Sequence, residues 1–280
     1  MRIAIIGSRG GMGSFFARYF LSKGHQVKGF DIRKQNRFIP EVEISDSIQE
    51  AVQDADAAVI ATPISTTVDV CKKVVNGMRP KTYLIEISSV KGHIVPHLRR
   101  LVSRKTIKLI SIHPLFGPLQ DVDKKIRMVL LNTKKTIEDD ARLFFPDAEL
   151  FIMDLISHDR IMGIILSLTH ATNTAFLSSV GLDTKPEKLK KMAPPIAFLQ
   201  LSLAQAVLTQ DPELMSIIQI DNEYSERLIR HMALELNRIA NLIRSGDTIR
   251  LKRFFANKVK RFGSDDALYD IYKAYYSVVN

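Results

Sequence analysis

One cysteine, Cys71, stands in a chain of 280 residues. A single thiol excludes an internal disulfide and leaves no thiolate cluster for a metal, which fits a reducing cytoplasm. Long apolar runs are also missing. None approaches the ~20 residues that a membrane-spanning helix needs, so no membrane segment is expected. The opening apolar run is too short for a signal peptide and leads straight into a glycine turn. There is no internal repeat and no low-complexity stretch. The charge, finally, lacks segregation. The net +10 comes from Lys and Arg scattered through helices rather than gathered in one tract. With no nucleic-acid motif beside them, these charges argue against a nucleic-acid partner. They read as a solvated basic surface, one that also suits an anionic dinucleotide and a polyanionic metabolite.

What is present begins at the N-terminus. Met1-Arg-Ile-Ala-Ile-Ile-Gly7 is a short, isoleucine-rich run suited to a buried parallel strand. Ser8-Arg9-Gly10-Gly11-Met12-Gly13 follows, then Phe15-Phe-Ala-Arg-Tyr-Phe-Leu21, apolar at helical intervals and stopped by Gly24. A second strand, Val27–Phe30, ends on Asp31. This is a βαβ opening with a glycine turn at its first strand-to-helix junction. Gly7 permits the sharp exit, Gly10 the approach of a pyrophosphate, and Gly13 close packing of helix on sheet. The amides of the helix start favour a phosphate group. Asp31 is placed to accept hydrogen bonds from a ribose, and its charge repels a 2′-phosphate, so NAD is expected over NADP. Arg33 and Lys34 lie just beyond and soften that preference. The spacing is G-x-x-G-x-x-G rather than G-x-G-x-x-G, and it is the strand, the helix and the acid around it that give it weight.

The chain in order predicts a doubly wound, mostly parallel Rossmann-type sheet over 1–154 and an all-helical domain over 155–280. Strands are expected at Ala57–Pro63, Tyr83–Ile87, Ile107–Ile112 and Arg127–Asn132, the last closing the sheet. Ligands of such sheets lie at the carboxyl ends of the strands, so Thr62, Pro63, Ile64 and Ser88 belong near the cofactor. Beyond Leu155 no strand signal recurs. Helices are expected at Ile161–Val180, opened by a cap and first turn at Ser157-His-Asp159, then at Pro195–Thr209, Pro212–Ala240, Leu251–Lys260 and Ala267–Val279. Ile161–Val180 has little polar face, so it should be buried on nearly all sides, and a dimer interface would supply that burial.

Three polar clusters carry the chemistry. Ser88-Ser89 with Lys91, and His113 with its Pro-Leu-Phe-Gly-Pro tail, end two neighbouring strands. Thr169-His170 and Asn173 lie inside the long helix, where His170 and Asn173 share a face. His170 is either a satisfied core histidine or a residue facing a cleft between the domains. Oxidising an alcohol removes a hydride from carbon and a proton from oxygen. An imidazole, with an unperturbed pKa near ~6.5, can accept that proton. His113 is the candidate base, with Ser89 as its partner. The other histidines, His158 among them, are expected in turns or on helix surfaces, without an assigned role beyond His158 as a helix cap.

These segments together resemble one family. The glycine turn, Ala61-Thr-Pro-Ile64, Ile87-Ser-Ser-Val-Lys91, His113-Pro-Leu-Phe-Gly-Pro118, and His158-Asp-Arg-Ile-Met162 through Leu168-Thr-His170 look like the prephenate dehydrogenases of tyrosine biosynthesis. The likeness runs from Met1 to about Asn222, and His113–Pro118 is its most specific piece. It implies NAD-dependent oxidative decarboxylation of prephenate to 4-hydroxyphenylpyruvate, and a helical domain that dimerises. It matches His113 to the histidine that bonds the C4 hydroxyl, Ser89 to the serine that helps hold that hydroxyl, and His170 to a helix histidine lining the same pocket. One departure stands out. The resemblance implies an arginine, paired with a substrate carboxylate, at the position held by Phe198. A phenyl ring cannot replace a guanidinium. Lys188, Lys190, Lys191 and Arg250 are the cations available by type, and arogenate stands beside prephenate as substrate. Other readings are a Rossmann reductase of the β-hydroxyacid dehydrogenase or pyrroline carboxylate reductase kind, and a dinucleotide-sensing regulator without turnover.

Overall fold

The computed structural model describes residues 1–33, 39–131, 135–180 and 184–279. Lys34 and Asn132 lie outside them. The chain forms two compact units, Met1–Met162 with Ile220–Asn222, and Gly163–Gln219 with Glu223–Asn280.

The first unit is built on an eight-stranded sheet. Its strands are β1 Arg2–Ile6, β2 Gln26–Phe30, β3 Glu43–Ile44, β4 Ala57–Ile60, β5 Tyr83–Glu86, β6 Lys108–Pro114, β7 Arg127–Leu131 and β8 Glu149–Met153. They lie in the order β3-β2-β1-β4-β5-β6-β7-β8. All pairs are parallel except β6 with β7. The expected closing strand is therefore not the edge: β7 takes β8 beside it in parallel register. The helix α5 Lys135–Phe144 supplies the crossover, which parallel neighbours require. Sequence reasoning leaves that helix and β8 unassigned.

Alternation along each strand sorts the core into two layers. Ile3 and Ile5 of β1 join Phe15, Phe16 and Phe20 of α1 Gly11–Ser22, with Ala141 and Phe144 of α5. Ala4 and Ile6 join the helices of the other face: α2 Ile48–Val52, α3 Thr67–Gly77 and α4 Ile94–Ser103. The order reverses between β1 and β4, and at such a switch point the carboxyl ends of two strands splay to form a crevice. The glycine turn follows β1, and Ala61-Thr62-Pro63 follows β4.

The helical run Leu155–Val180 comprises α6 Leu155–Met162, a π-helical turn Gly163–Leu168 and α7 Thr169–Val180. It starts earlier than expected because Asp154, not the Ser157-to-Asp159 segment, caps it. Asp154 accepts the Ser157 amide at 2.9 Å and the Ser157 hydroxyl at 2.7 Å. By length and composition alone this run is apolar enough to cross a membrane, with a mean hydropathy of 1.2, a test that a core helix also passes. His158, Asp159, Ser167 and Asn173 in it nevertheless pair with other parts of the chain, as the polar groups of a core helix do. Nor is it enclosed on all sides within the chain, since Ile164 and Ile165 are about half exposed.

In the second unit the π turn leaves the Ser167 carbonyl to a side chain: Gln219 Nε2 donates to it at 2.8 Å. The Ser225 hydroxyl donates to Ser167 Oγ at 2.7 Å. These bonds coincide with a break in the expected helix Pro212–Ala240, which is two helices, α10 Pro212–Asp221 and α11 Ser225–Arg244. The remaining elements are α8 Pro186–Lys190, α9 Pro195–Val207, α12 Thr248–Phe262 and α13 Asp265–Val279.

Candidate active site

The glycine turn is built as the spacing demands. Gly7 has φ +87°, and a Cβ there would meet the Ala61 carbonyl oxygen at 2.4 Å. A Cβ on Gly13 would lie 2.0 Å from the Gly7 carbonyl oxygen, so only glycine lets α1 seat on the turn. Gly10 is the N-cap of α1 and has no side chain to bond the first-turn amides. Those amides are the groups that hold a phosphate. Met12, in the first turn of α1, packs against the core. Asp31 is tied to the turn: Oδ2 accepts the Arg9 amide and Oδ1 the Arg33 amide, each at 2.9 Å. Each oxygen keeps a lone pair for a ribose hydroxyl. Ser8 Oγ and Thr62 Oγ1 are buried without hydrogen-bond partners. Pro63 and Ile64 open a short 3-10 turn next to Thr62, and the Pro63 carbonyl accepts from Thr66 and Thr67. Open helix amides, an acid at the end of β2 and two unpartnered hydroxyls together fit a dinucleotide.

A second cluster sits at the ends of β5 and β6. Glu86 and Ser111 are register partners, and His113 lies two residues further along β6, so the three side chains share a face. Lys91 and Glu86 form an ion pair at 2.8 Å with both side chains 0% exposed. Charges so deeply buried persist only when paired and fully bonded. Lys91 Nζ also donates to the Ile112 carbonyl at 2.6 Å. The Ser111 hydroxyl donates to Glu86 Oε2 at 2.7 Å. The Ser88 hydroxyl shares its one proton between Glu86 Oε1 and the Val90 carbonyl, the latter at 2.9 Å. The Ser88 side chain is thus committed to this network.

From His113 the bonding continues into α6. His113 Nδ1 stands 3.0 Å from His158 Nε2. His158 Nδ1 stands 2.7 Å from Asp159 Oδ1. Asp159 is itself anchored: Oδ2 accepts the Gly92 amide at 2.8 Å, Oδ1 the Lys91 amide at 3.4 Å, and its carbonyl accepts Asn222 Nδ2 at 2.7 Å. His158 is therefore buried rather than at a helix surface. Burial pushes the His113 pKa well below the usual histidine value, and the Lys91 charge and His158 add to the shift. Burial also lowers His158, while its bond to Asp159 works in the opposite sense. At neutral pH both rings are neutral. The tail after His113 is fixed by Phe116, whose ring lies 4.7 Å from that of Phe15 on α1.

Ser89 is half-buried at the end of β5, and among the described residues no hydrogen bond joins it to His113. His170 belongs to the second unit, where it is buried with Nδ1 unpartnered, and burial lowers its pKa. Asn173 donates to the Thr169 carbonyl at 2.8 Å and accepts from Gln200 at 2.9 Å. Phe198 packs edge-on to Tyr275, and Lys190 Nζ stands 5.8 Å from its ring centroid. Of the other candidate cations, Arg250 is held by Asp247 at 3.2 Å. Sequence reasoning does not pick out Glu86, Ser111 or Asp159. The available signal is Glu86 itself: a carboxylate in an apolar strand needs a buried cation, and Lys91 stands five residues on.

The family model described as the nucleotide-binding domain of prephenate dehydrogenase matches residues 16–137, and that for its dimerization domain matches residues 156–257. The chain belongs to the prephenate dehydrogenase family. A relative from Methanocaldococcus jannaschii, named probable arogenate/prephenate dehydrogenase, is 28% identical over 95% of this chain and 62% of its own length. The chain thus spans less than two thirds of that relative. Among solved structures, the prephenate dehydrogenase of A. aeolicus, in complex with hydroxyphenyl propionate and NAD+, has a TM-score of 0.74 at 21% identity. That match covers 93% of this chain and 97% of the other. Synechocystis arogenate dehydrogenase has a TM-score of 0.69 at 17% identity, with coverage of 93% and 98%. These likenesses show the shared fold: a Rossmann-type sheet followed by helices.

Proposed function

We propose that this protein catalyses the NAD-dependent oxidative decarboxylation of prephenate to 4-hydroxyphenylpyruvate. The observation that carries the reading is His113, a neutral imidazole at the end of β6, held through Nδ1 by His158 and Asp159. An oxidised nicotinamide, when bound, accepts the hydride from the ring carbon bearing the hydroxyl. His113 takes the proton of that hydroxyl on Nε2 and returns it to the phenol oxygen once CO₂ has left and the ring is aromatic. Ser89 helps hold the hydroxyl, and His170 lines the substrate pocket. Gly7, Gly10, Gly11 and Gly13, with Ser8, Arg9 and Met12, hold the pyrophosphate. Asp31 reads the ribose, and Thr62, Pro63, Ile64 and Ser88 lie beside the dinucleotide.

Lys190 is the cation we assign to the substrate side-chain carboxylate, because it stands over the ring of Phe198, where the related enzymes are expected to carry arginine. The chain also works as a homodimer through its helical unit. The support is exposed apolar surface: α11 is 20 residues long and Ser225 is its one buried residue, while Leu234, Leu236 and Ile243 on it are more than half exposed. The test is NADH formation from NAD with prephenate and with arogenate in parallel, repeated with NADP. Faster turnover of arogenate would transfer the substrate assignment to it. Dinucleotide binding with no turnover of either would refute the reading.

A further inference from the structure

The bonds around His113 carry more than its position. Asp159 holds two backbone amides, so its oxygens act as acceptors, and the nitrogen facing Oδ1 at 2.7 Å is His158 Nδ1. An acceptor demands a donor, so His158 carries its proton on Nδ1. A neutral imidazole has one N–H, which leaves His158 Nε2 with a bare lone pair. That lone pair faces His113 Nδ1 at 3.0 Å. By the same argument His113 carries its proton on Nδ1, and its Nε2 is bare.

We propose that His158 and Asp159 are positioning residues that lock His113 in the tautomer with Nδ1 protonated and Nε2 free to accept a proton. The inference rests on the prephenate dehydrogenase reading for its catalytic consequence, but the tautomer rests on the hydrogen bonds and the burial of the two rings. In the reaction, the substrate O–H bond breaks, its electron pair stays on oxygen, and an N–H bond forms at His113 Nε2. The reverse tautomer, with a proton already on Nε2, has no lone pair there and cannot accept. The ionisable groups around the pair are Lys91, Glu86 and Asp159, named as electrostatic neighbours of the two rings. The Lys91 charge opposes protonation of either ring, while Glu86 and Asp159 favour it at His158.

The experiment uses the full chain with NAD, labelled with ¹⁵N in histidine, and long-range ¹H–¹⁵N correlation at neutral pH. His113→Asn and His158→Gln assign the signals. We expect both rings as the Nδ1–H tautomer. A proton on His113 Nε2 would overturn the proposal, whatever the activity. Asp159→Asn provides the second arm. Its amide can present N–H to His158 Nδ1, which reverses both rings. We expect the His113 signal to invert and kcat with prephenate to fall roughly 10³- to 10⁴-fold, as when a carboxylate that orients a catalytic histidine becomes an amide. KM and NAD affinity should hold within a few-fold. An unchanged tautomer with unchanged kcat would refute the assignment. If the wild type shows the expected tautomer but turns over neither prephenate nor arogenate, the functional reading fails and the tautomer assignment survives.

Discussion

Replacing Lys91 by Met tests the electrostatics beneath His113. The side chains are similar in length, so the change removes a charge more than a volume. Glu86 would keep its bonds from Ser88 and Ser111 but lose its ion pair with Lys91 at 2.8 Å. With both partners 0% exposed, no water takes its place. Breaking such a pair from one side costs about 3–5 kcal/mol, because it leaves an uncompensated buried charge. At roughly 2–4 °C per kcal/mol for a chain of this size, the expected fall in Tm is on the order of 10 °C. Glu86→Gln in the Lys91→Met background should recover much of the loss. Urea and thermal unfolding of the four members of the cycle measure the coupling. Lys91→Met as stable as wild type at pH 8 would refute the argument that the pair is dry and obligatory.

His113→Asn should lower kcat with prephenate by about 10²- to 10⁴-fold, the range for loss of a general base, with NAD affinity nearly intact by calorimetry. Asp31→Ala should weaken NAD roughly tenfold or more, the value of a hydrogen bond to a charged group, and bring the NAD-to-NADP preference towards parity in steady-state kinetics. Lys190→Ala should raise KM for prephenate by about 10- to 100-fold with kcat less affected, and Lys190→Arg should restore it. His113, His158 and His170 all have pKa values lowered by burial. The unfolded chain therefore protonates first, and stability, fully present above the ordinary histidine value of ~6.5, should decline as pH falls below it. Tm measured between pH 8 and 5 reads this directly.

The nucleotide-binding half was legible because its signals are local. The glycine spacing, the apolar helix behind it and Asp31 lie within one βαβ unit, and each has a single steric or electrostatic reason. The edge of the sheet was less legible. Arg127–Leu131 reads as a closing strand because nothing in its composition reports that Glu149–Met153 will pair beside it. That pairing depends on α5, whose sequence is mostly polar, with Ala141 and Phe144 its two fully buried residues. The break at Asn222 was hidden for a similar reason. Pro212–Ala240 keeps helical spacing, and what interrupts it are distant partners: Asn222 on the Asp159 carbonyl, and Ser225 and Gln219 on Ser167.

The same distinction explains the site. His113 stands out in the sequence because it ends a strand and is followed by a rigid Pro-Leu-Phe-Gly-Pro tail. What holds this proposed base in place does not stand out, because it is assembled from three separate segments. Glu86 and Lys91 come from the end of β5, Ser111 from β6, and His158 with Asp159 from α6, 45 residues beyond His113. Spacing arguments reach a few residues along the chain, so they connect Glu86 with Lys91, five residues apart, but not His113 with His158, 45 apart. A buried charge carries information across that gap. Lys91 cannot be dry without a carboxylate, and the His113 imidazole is held neutral first by burial and then by the Lys91 charge. A neutral imidazole with one donor and one acceptor then needs something to choose which nitrogen is which. Asp159 makes that choice, and it can do so because the amides of Lys91 and Gly92 hold it in place. The stretch that supplies the cation therefore also orients the carboxylate that sets the proposed base.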